Sequence, residues 1–394
     1  MKPRILIFCD YYLPGYKSGG GTVMIANLVD RFRRQYDFFV VTRHNDGKFD
    51  PRPYSNVIYG DWNEISGAMV FYLAQNEFSA RRAAEFVAEV DPSLVFLNSA
   101  FSLPVISLLN ARRKGKIRDV PVILAPCGEM APSALALKPV KKALFLRWAK
   151  AVKLYDKVIW KASFDEEKRH ILRQFGPRSD IRIASDLVSR SILPNFDLSQ
   201  KPPKNPGKVR FALVCRLTRM KNVHYFLDRL SQVREGEVTF ELIGPLEDKE
   251  YWNECSEIIS RLPPNISVST TGPLPQNEAL ERLSQGHFLV LPTLNENFGY
   301  AFIEALAAGC PLLISENTSW GAVATENVGW VLPLPDREAW NDRIRKCIEM
   351  DGPSFSRMSI MARDFAQEWL GRAGHDEATK NLLESAISGE VNVS

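Results

Sequence analysis

The sequence has few of the residues from which metal and redox sites are built. Its 394 residues include five histidines and six cysteines, and they form neither an HExxH motif nor a CxxC pair. No Asp-x-Asp motif follows a predicted strand, so metal dependence is not indicated. Widely scattered cysteines are typical of reduced thiols in a cytosolic protein. We therefore expect a cytoplasmic protein that needs no metal and no cofactor.

Long apolar runs and a strong charge of one sign are also missing. No stretch approaches the ~18 apolar residues of a membrane span. The apolar run after the basic N-terminus, residues 5–9, is too short for a signal peptide. A net charge of +4 does not suggest a nucleic-acid binder, although a mild positive excess suits anionic ligands such as diphosphates.

What the sequence does contain is a regular alternation of short β-rich runs and longer helical patterns. This pattern predicts an α/β fold with two Rossmann-like domains, each built on a doubly wound parallel sheet. We place the first domain at 1–193, a proline- and lysine-rich linker at 194–208 and the second domain at 209–364. The helices at about 365–394 are predicted to pack back on the first domain. Ligands bind outside the carboxyl ends of such strands, so two facing domains would form a cleft.

The most informative segment, Leu291–Pro311, reads as strand, loop, helix, glycine and strand. Gly299 would let the backbone approach a ligand closely, and the N–H groups at the helix start suit a diphosphate. Glu296 precedes the helix and Glu304 lies within it, roughly 8–12 Å away along the axis. The alternative is that Glu296 only complements the helix dipole and Glu304 is solvated. However, the neighbours of Glu304 are apolar, and a carboxylate buried there without a partner would be costly.

Two basic residues follow the first strand of the second domain. Arg216 and Lys221 flank a strand-to-helix turn, where their charges could stabilise a leaving diphosphate. The alternative is ordinary surface basicity, which suits the nearby Arg219 better.

In their order and spacing, these motifs resemble the donor domain of the retaining glycosyltransferases of family four, which have the two-domain GT-B architecture. The matching positions are Arg216, Lys221-Asn222, Gly244-Pro245, Thr271-Gly272, Glu296-Asn297-Phe298-Gly299 and Glu304. The resemblance implies transfer of a sugar from a nucleoside-diphosphate sugar to a hydroxyl of a glycan or lipid-linked acceptor. It also implies that Arg216 and Lys221 hold the diphosphate, that Glu304 binds the ribose, and that Glu296 and the backbone at 297–299 meet the transferred sugar.

The predicted site residues fall into three groups. The catalytic group is Arg216, Lys221 and Glu296. The donor-binding group is Asn297, Phe298, Gly299, Tyr300, Glu304, Gly244, Gly19, Gly20 and Gly21. Candidates for contact with the acceptor or the sugar are Asn98, Ser99, Glu129 and His44.

The Gly19–Gly21 loop follows the first strand and is neither a P-loop nor a GxGxxG motif. A flexible connector is the plain alternative, but in the resembled family this loop lies against the donor phosphates. Several stretches resemble members from bacterial surface-polysaccharide pathways, namely 97–102, 125–129, 160–163, 318–320 and 328–330. At Cys127 the sequence departs from the histidine found in many members and from the arginine of related polysaccharide enzymes. We do not expect Cys127 to be a nucleophile, because no histidine neighbours it.

A basic helix is predicted over 138–153. One face, which we predict to pack on the core, carries Val140, Leu144, Trp148, Ala151, Val152 and Tyr155. Lys142, Lys150 and Lys153 are predicted on the opposite, solvated face. The alternative is peripheral contact with anionic lipid headgroups or a lipid-diphosphate acceptor.

Two other functions fit the same architecture. A nucleotide-sugar epimerase would need acid–base residues around the sugar, and the sequence offers few histidines for that role. A non-catalytic partner subunit would keep the fold and bind donor weakly; the presence of Arg216, Lys221, Glu296 and Glu304 argues against it.

Overall fold

Runs of apolar residues form the central strands of two sheets, and the helical segments between them cover those sheets. The structure, a computed structural model, describes residues 2–17, 19–47, 50–190, 192 and 197–390. The chain divides into two units, Met1–Leu187 with Ala373–Ser394, and Val188–Arg372. Each is an α/β unit whose central strands are buried, as parallel sheets require.

The first unit holds a sheet of strand order β3-β4-β2-β1-β5-β6-β7-β8. Its strands are β1 Arg4–Phe8, β2 Asp37–Arg43, β3 Trp62–Ile65, β4 Ala68–Leu73, β5 Leu94–Asn98, β6 Val122–Ala125, β7 Ile159–Ala162 and β8 Ile181–Ile183. Its helices are α1 Gly20–Phe32, α2 Ala80–Val90, α3 Leu103–Arg113, α4 Pro132–Ala136, α5 Pro139–Ala151, α6 Asp165–Phe175 and, from the end of the chain, α14 Ala373–Ser388.

The second unit holds a sheet of strand order β11-β10-β9-β12-β13-β14, in which the recorded strand pairings are parallel. Its strands are β9 Lys208–Val214, β10 Glu237–Ile243, β11 Ile266–Gly272, β12 Phe288–Leu291, β13 Leu312–Ser315 and β14 Gly329–Leu332. Its helices are α7 Val223–Leu230, α8 Lys249–Ile259, α9 Gln276–Ser284, α10 Tyr300–Ala307, α11 Ala322–Thr325, α12 Arg337–Glu349 and α13 Gly352–Gly371.

The two Rossmann-like parallel sheets match the predicted fold class, with one addition. β3 pairs antiparallel with β4 at the edge of the first sheet, and the sequence interpretation contained neither strand. For β3 the omission has a physical reason, because this strand carries the polar residues Asn63 and Glu64 and lies at an edge, where a strand needs little apolar character. This reason does not apply to β4, which is apolar and largely buried.

The end of the chain is fixed to the first unit by polar contacts of α14. Arg31 of α1 forms an ion pair with Asp376, and the Arg182 guanidinium donates a hydrogen bond of 2.6 Å to the Ser385 hydroxyl. The preceding helix, α13, belongs instead to the second unit and packs on α10. The change from one unit to the other therefore occurs between two helices.

The predicted linker, 194–208, is anchored to the second unit over the part that the structure describes, 197–208. The Lys201 ammonium donates to the carbonyl oxygens of Ser284 and Ala308 at 3.1 and 2.9 Å. The Lys204 ammonium likewise donates to the Ile348 carbonyl oxygen at 3.0 Å. These contacts satisfy carbonyl groups at the C-terminal ends of helices, so this part is not a loose connection. Pro194 lies outside the described residues.

The predicted core face of the basic helix is wrong along α5, although Tyr155, just after the helix, is buried as predicted. Val140 and Leu144 of α5 are exposed, whereas Leu146 and Ala149 are buried. Lys142, predicted on the solvated face, extends over the Phe101 ring instead. Apolar residues occur on two sides of this helix, so a pattern of helical spacing could not distinguish the packed side from the exposed one.

Candidate functional site

The first cluster of predicted site residues lies at the carboxyl ends of β9 and β12. Lys221 ends a short 3-10 turn, Arg219–Lys221, that follows β9, and Glu296 lies in the loop between β12 and α10. The Lys221 ammonium forms an ion pair with the Glu296 carboxylate, and both side chains are largely buried. The structure therefore brings together two of the three residues predicted to be catalytic.

Backbone hydrogen bonds hold the loops that carry this pair. The Leu294 N–H and the Thr293 hydroxyl both donate to the Met220 carbonyl oxygen, at 2.8 and 2.9 Å. The Glu296 N–H donates to the Asn317 carbonyl oxygen at 3.0 Å. The loop after β12 is thus fastened to the turns after β9 and after β13, which fixes the charges before any ligand arrives.

Arg216 lies after the same strand as Lys221 but forms its ion pair elsewhere. Its guanidinium is 2.8 Å from the Glu247 carboxylate, in the loop after β10. Arg216 is the more exposed of the two predicted diphosphate ligands, with 43% of its side chain accessible. Its charge is therefore accessible to an anion beside the carboxyl ends of the sheet.

A glycine in a left-handed conformation precedes the N-terminus of α10. Gly299 precedes the helix with φ of +76°, a left-handed conformation that strains a residue with a Cβ. A Cβ at Gly299 would meet the Phe302 ring at 2.6 Å and the Glu296 Cγ at 3.0 Å. In the described structure no side chain caps this helix start, so its positive end is directed at the loop that carries Glu296.

Glu304 is buried within α10 and has a partner that sequence reasoning missed. Its Oε1 accepts a hydrogen bond of 2.9 Å from the Gln276 amide, at the start of α9. Burial raises the pKa of Glu304 above its ordinary value, and the hydrogen bond from Gln276 opposes that rise. A carboxylate fixed through one oxygen can offer the other to a hydroxyl group.

Phe298 and Tyr300 belong to an aromatic cluster rather than to an open surface. The Phe298 ring is buried and lies 4.7 Å from the Tyr300 ring, and it also contacts Trp320 and Trp369. The Trp320 indole N–H donates to the Phe298 carbonyl oxygen at 2.6 Å. The Phe298 side chain thus packs into the unit and supports the Asn297–Gly299 backbone.

The first unit brings its predicted residues together around Cys127. The Asn98 amide is 3.3 Å from the Cys127 sulfur, and the amide oxygen would be 3.2 Å from a Cβ added at Gly21. Asn98 ends β5 and Gly21 lies in the first turn of α1. The carboxyl ends of neighbouring parallel strands therefore meet here.

Glu129 is held beside this cluster by two hydrogen bonds. Its carboxylate accepts from the Ser99 hydroxyl at 2.7 Å and from the Ala100 N–H at 2.6 Å. Burial outweighs these bonds and raises the pKa of Glu129 to about 7.

The Cys127 loop is fixed by a buried acid that the sequence interpretation did not single out. Glu167 of α6 accepts from the Gly128 N–H at 2.6 Å and from the Ser163 N–H at 2.7 Å. Cys127 itself has φ of +52°, and burial raises the pKa of its thiol well above the ordinary value. The thiol is protonated at neutral pH, so it lacks the character of a nucleophile.

Three further predicted residues, His44, Gly19 and Gly20, lie in other segments of the first unit. His44 follows β2, and its ring packs against Tyr59. Gly19 and Gly20 form the start of α1, with Gly19 at φ of +83°. Among the described residues, no three His, Cys, Asp or Glu side chains come together as a metal site would require.

The two residues that sequence reasoning missed, Gln276 and Glu167, hold other residues of the two clusters in place by hydrogen bonds. Gln276 lies 28 positions before Glu304 and in a different helix, so no local motif links the two. Glu167 is one of three acids in the first turn of α6, where an acid is usual for the helix dipole. Only its position four residues after Ser163 could have drawn attention to it.

The second unit is similar in sequence to a known family. Residues 195–365 match the family model described as glycosyl transferases group 1. The match covers most of the second unit, which is therefore similar to a group 1 glycosyl transferase domain. The matched stretch contains the ends of β9 and β12 and the whole of α10, which are the elements that carry Arg216, Lys221, Glu296 and Glu304. None of the curated proteins compared with the sequence matches it.

Solved glycosyltransferase structures share the fold of the entire chain. Sucrose-phosphate synthase from Thermosynechococcus elongatus has a TM-score of 0.74 and 16% identity, covering 99% of this chain and 100% of that one. HepE from Anabaena, solved in complex with UDP and glucose, has a TM-score of 0.69 and 16% identity. This match covers 98% of this chain and 100% of that one. WaaG, a glycosyltransferase involved in lipopolysaccharide biosynthesis, has a TM-score of 0.66 and 12% identity. This match covers 99% of this chain and 100% of that one. At these identities the similarity shows the fold, which is GT-B with two Rossmann-like units.

Proposed function

We propose that the protein is a cytoplasmic, retaining glycosyltransferase that uses a nucleoside-diphosphate sugar. Its acceptor would be a hydroxyl of a glycan or of a lipid-linked sugar, and its role would lie in bacterial surface-polysaccharide synthesis. The observation that carries the proposal is the Lys221–Glu296 pair, fixed by backbone hydrogen bonds beside the N-terminus of α10. Cation, carboxylate and positive helix end provide partners for a diphosphate and for sugar hydroxyls.

Two comparisons support the donor and the pathway. HepE was solved with UDP and glucose, which supports a UDP-sugar or a related donor for this chain. WaaG is involved in lipopolysaccharide biosynthesis, which supports an acceptor from a surface glycan. Glu304, with one oxygen held by Gln276, has the chemistry to bind a ribose hydroxyl.

In the proposed reaction the protein positions the donor and the acceptor and stabilises the charge of the leaving diphosphate. The bond from the anomeric carbon to the diphosphate oxygen breaks, and a bond to the acceptor oxygen forms on the same face of the sugar. The departing phosphate oxygen takes the proton of the acceptor hydroxyl. Arg216 and Lys221 stabilise the charge that develops on the diphosphate, which removes the need for a metal ion.

A thermal-shift panel of nucleoside diphosphates and nucleotide sugars, run in EDTA, tests the donor proposal. A ligand that binds only the folded protein raises the melting temperature by mass action, and we expect one nucleotide series to do so. Arg216→Ala should lose most of that shift, whereas Arg345→Ala, an exposed arginine of α12, should keep it. Equal shifts in both variants would refute the phosphate assignment.

Product analysis separates transfer from the alternatives. Nucleotide release that requires an acceptor, together with a product whose anomeric configuration equals that of the donor by NMR, is the expected result. A changed sugar on an intact nucleotide would indicate an epimerase. No turnover of any bound donor would indicate a non-catalytic subunit.

Gln276→Leu should weaken donor binding through Glu304. Without the amide, the pKa of Glu304 rises further, because the hydrogen bond that opposes the effect of burial is gone. Only the ionised carboxylate is a good acceptor for ribose hydroxyls, so donor binding is lost as pH falls through that pKa, and the loss moves to higher pH in the variant. We expect a donor KM about tenfold higher at neutral pH, with kcat little changed.

Gln285→Leu is the matched control for this experiment, because Gln285 is exposed at the end of the same helix. Its donor KM should have the pH dependence of the unmodified protein. If Gln276→Leu lowers KM, or leaves its pH dependence unchanged, Gln276 does not position Glu304.

A further inference from the structure

An exposed apolar stripe runs along α5 in the first unit. Val140, Leu144 and Trp148 are 71%, 60% and 41% exposed, and Leu137 just before the helix is also exposed. They recur every three or four residues, so they lie on one side of the helix. The opposite side, with Phe145 and Ala149, packs on the hydrophobic core of the unit.

The charges around this stripe are of one sign. Between Met130 and Tyr155 the sequence contains no aspartate or glutamate, whereas it contains Lys138, Lys141, Lys142, Arg147, Lys150 and Lys153. At 100° per residue, Lys141 lies at one edge of the stripe and Arg147 lies beside Leu144, whereas Lys150 lies nearer the packed side, with its ammonium 5.7 Å from the centre of the Phe175 ring. All three are exposed.

We propose that α5 binds the surface of an anionic lipid bilayer, with its axis parallel to the membrane. The stripe would enter the boundary between headgroups and acyl chains, Trp148 would lie at the depth that indole rings prefer, and the flanking cations would pair with lipid phosphates. The complementary charge favours anionic lipid, since a neutral apolar partner would offer nothing to the cations. None of the helices in the described part of the chain has the length and hydropathy to cross a bilayer.

Lys142 has a different role from the other cations of this segment. Its ammonium donates to the Ala134 carbonyl oxygen at 2.7 Å and lies 5.2 Å from the centre of the Phe101 ring. It therefore fastens α4 to α5 and is not included in the lipid-binding set. The proposed lipid contacts belong to the exposed residues alone.

Co-sedimentation of the full chain with vesicles tests the proposal without any nucleotide, so the result is independent of the proposed function. We expect binding to vesicles that contain phosphatidylglycerol, weaker binding to phosphatidylcholine alone, and a decline with added salt. The double variant Leu144→Ser, Trp148→Ser should bind about tenfold more weakly or worse. The triple variant Lys141→Glu, Arg147→Glu, Lys150→Glu should lose binding to both vesicle types.

Matched controls separate the stripe from general surface properties. Ile360→Ser with Met361→Ser changes two exposed apolar residues of α13. Arg113→Glu, Lys114→Glu and Lys116→Glu make the same change of net charge at exposed cations in the first unit. Both controls should bind vesicles as the unmodified protein does, and an unchanged melting temperature in every variant shows an intact fold. Equal losses in controls and stripe variants, or no binding by the unmodified chain, would overturn the proposal.

Discussion

Lys221→Met should lower kcat/KM for sugar transfer by about 10²–10³-fold, the usual effect of removing one fixed group that stabilises developing charge. The Lys221 ammonium lies after β9 with the Glu296 carboxylate as its partner. Methionine keeps much of the length and apolar character of the lysine stem but removes the charge. The loss should appear mainly in kcat, because charge on the diphosphate increases as its bond to the sugar breaks.

A double-mutant cycle distinguishes catalysis from stability at this pair. Lys221→Met alone leaves the largely buried Glu296 without its partner, which should lower the melting temperature. Adding Glu296→Gln removes the unpaired charge, so the double variant should regain most of that stability. Its activity should stay low. If activity returned with stability, the pair would be a structural ion pair, and the proposed role of Lys221 would be wrong.

The part of this site that could be predicted from sequence is the part built from local segments. Glu296, Gly299 and Glu304 belong to one strand–loop–helix segment, and Arg216 and Lys221 follow a single strand. In a parallel sheet the ends of neighbouring strands meet at one edge, so residues after β9 and β12 come together without any contact being known. The rule brings Lys221 and Glu296 to one edge of the sheet, but the ion pair between them is a finding of the structure.

The residues that were missed depend on contacts between distant segments. Gln276 reaches Glu304 from another helix, and Glu167 reaches the Gly128 N–H across the ends of two strands. Their residue types carry no signal, since glutamine is common on helices and an acid is usual in a first helical turn. The packed side of α5 was mistaken because apolar residues occupy both sides of it, and only tertiary contacts decide which side is buried.

The structure also changes the interpretation of Gly244, which the resemblance assigns to donor binding. Gly244 follows β10 with φ of +139°, and a Cβ there would lie 2.0 Å from the Cys215 carbonyl oxygen and 2.8 Å from the carbonyl carbon. Both obstacles are backbone atoms, which cannot move aside as a flexible side chain can. The glycine is required because the chain after β10 passes directly against the chain after β9.

Gly244→Ala should therefore destabilise the second unit by about 3–5 kcal/mol, since steric overlap and a disfavoured φ act together. Gly272→Ala is the matched control. Gly272 has φ of +71°, its carbonyl accepts the Gly244 N–H at 2.9 Å, and a Cβ would meet nothing within 4 Å among the described atoms. Only the cost of the left-handed conformation applies there, about 1–2 kcal/mol. The midpoints of urea unfolding measure both variants.

The comparison decides what Gly244 does for the site. If Gly244 served only to admit a ligand, both alanine variants would lose similar stability, and Gly244→Ala alone would lose donor binding. We expect instead a large loss of stability for Gly244→Ala. Any protein that still folds should bind nucleotide weakly, because Cys215 adjoins Arg216 and a displaced Cys215 carbonyl moves that guanidinium. Gly244 would then position the diphosphate site through the backbone of β9, without touching the ligand.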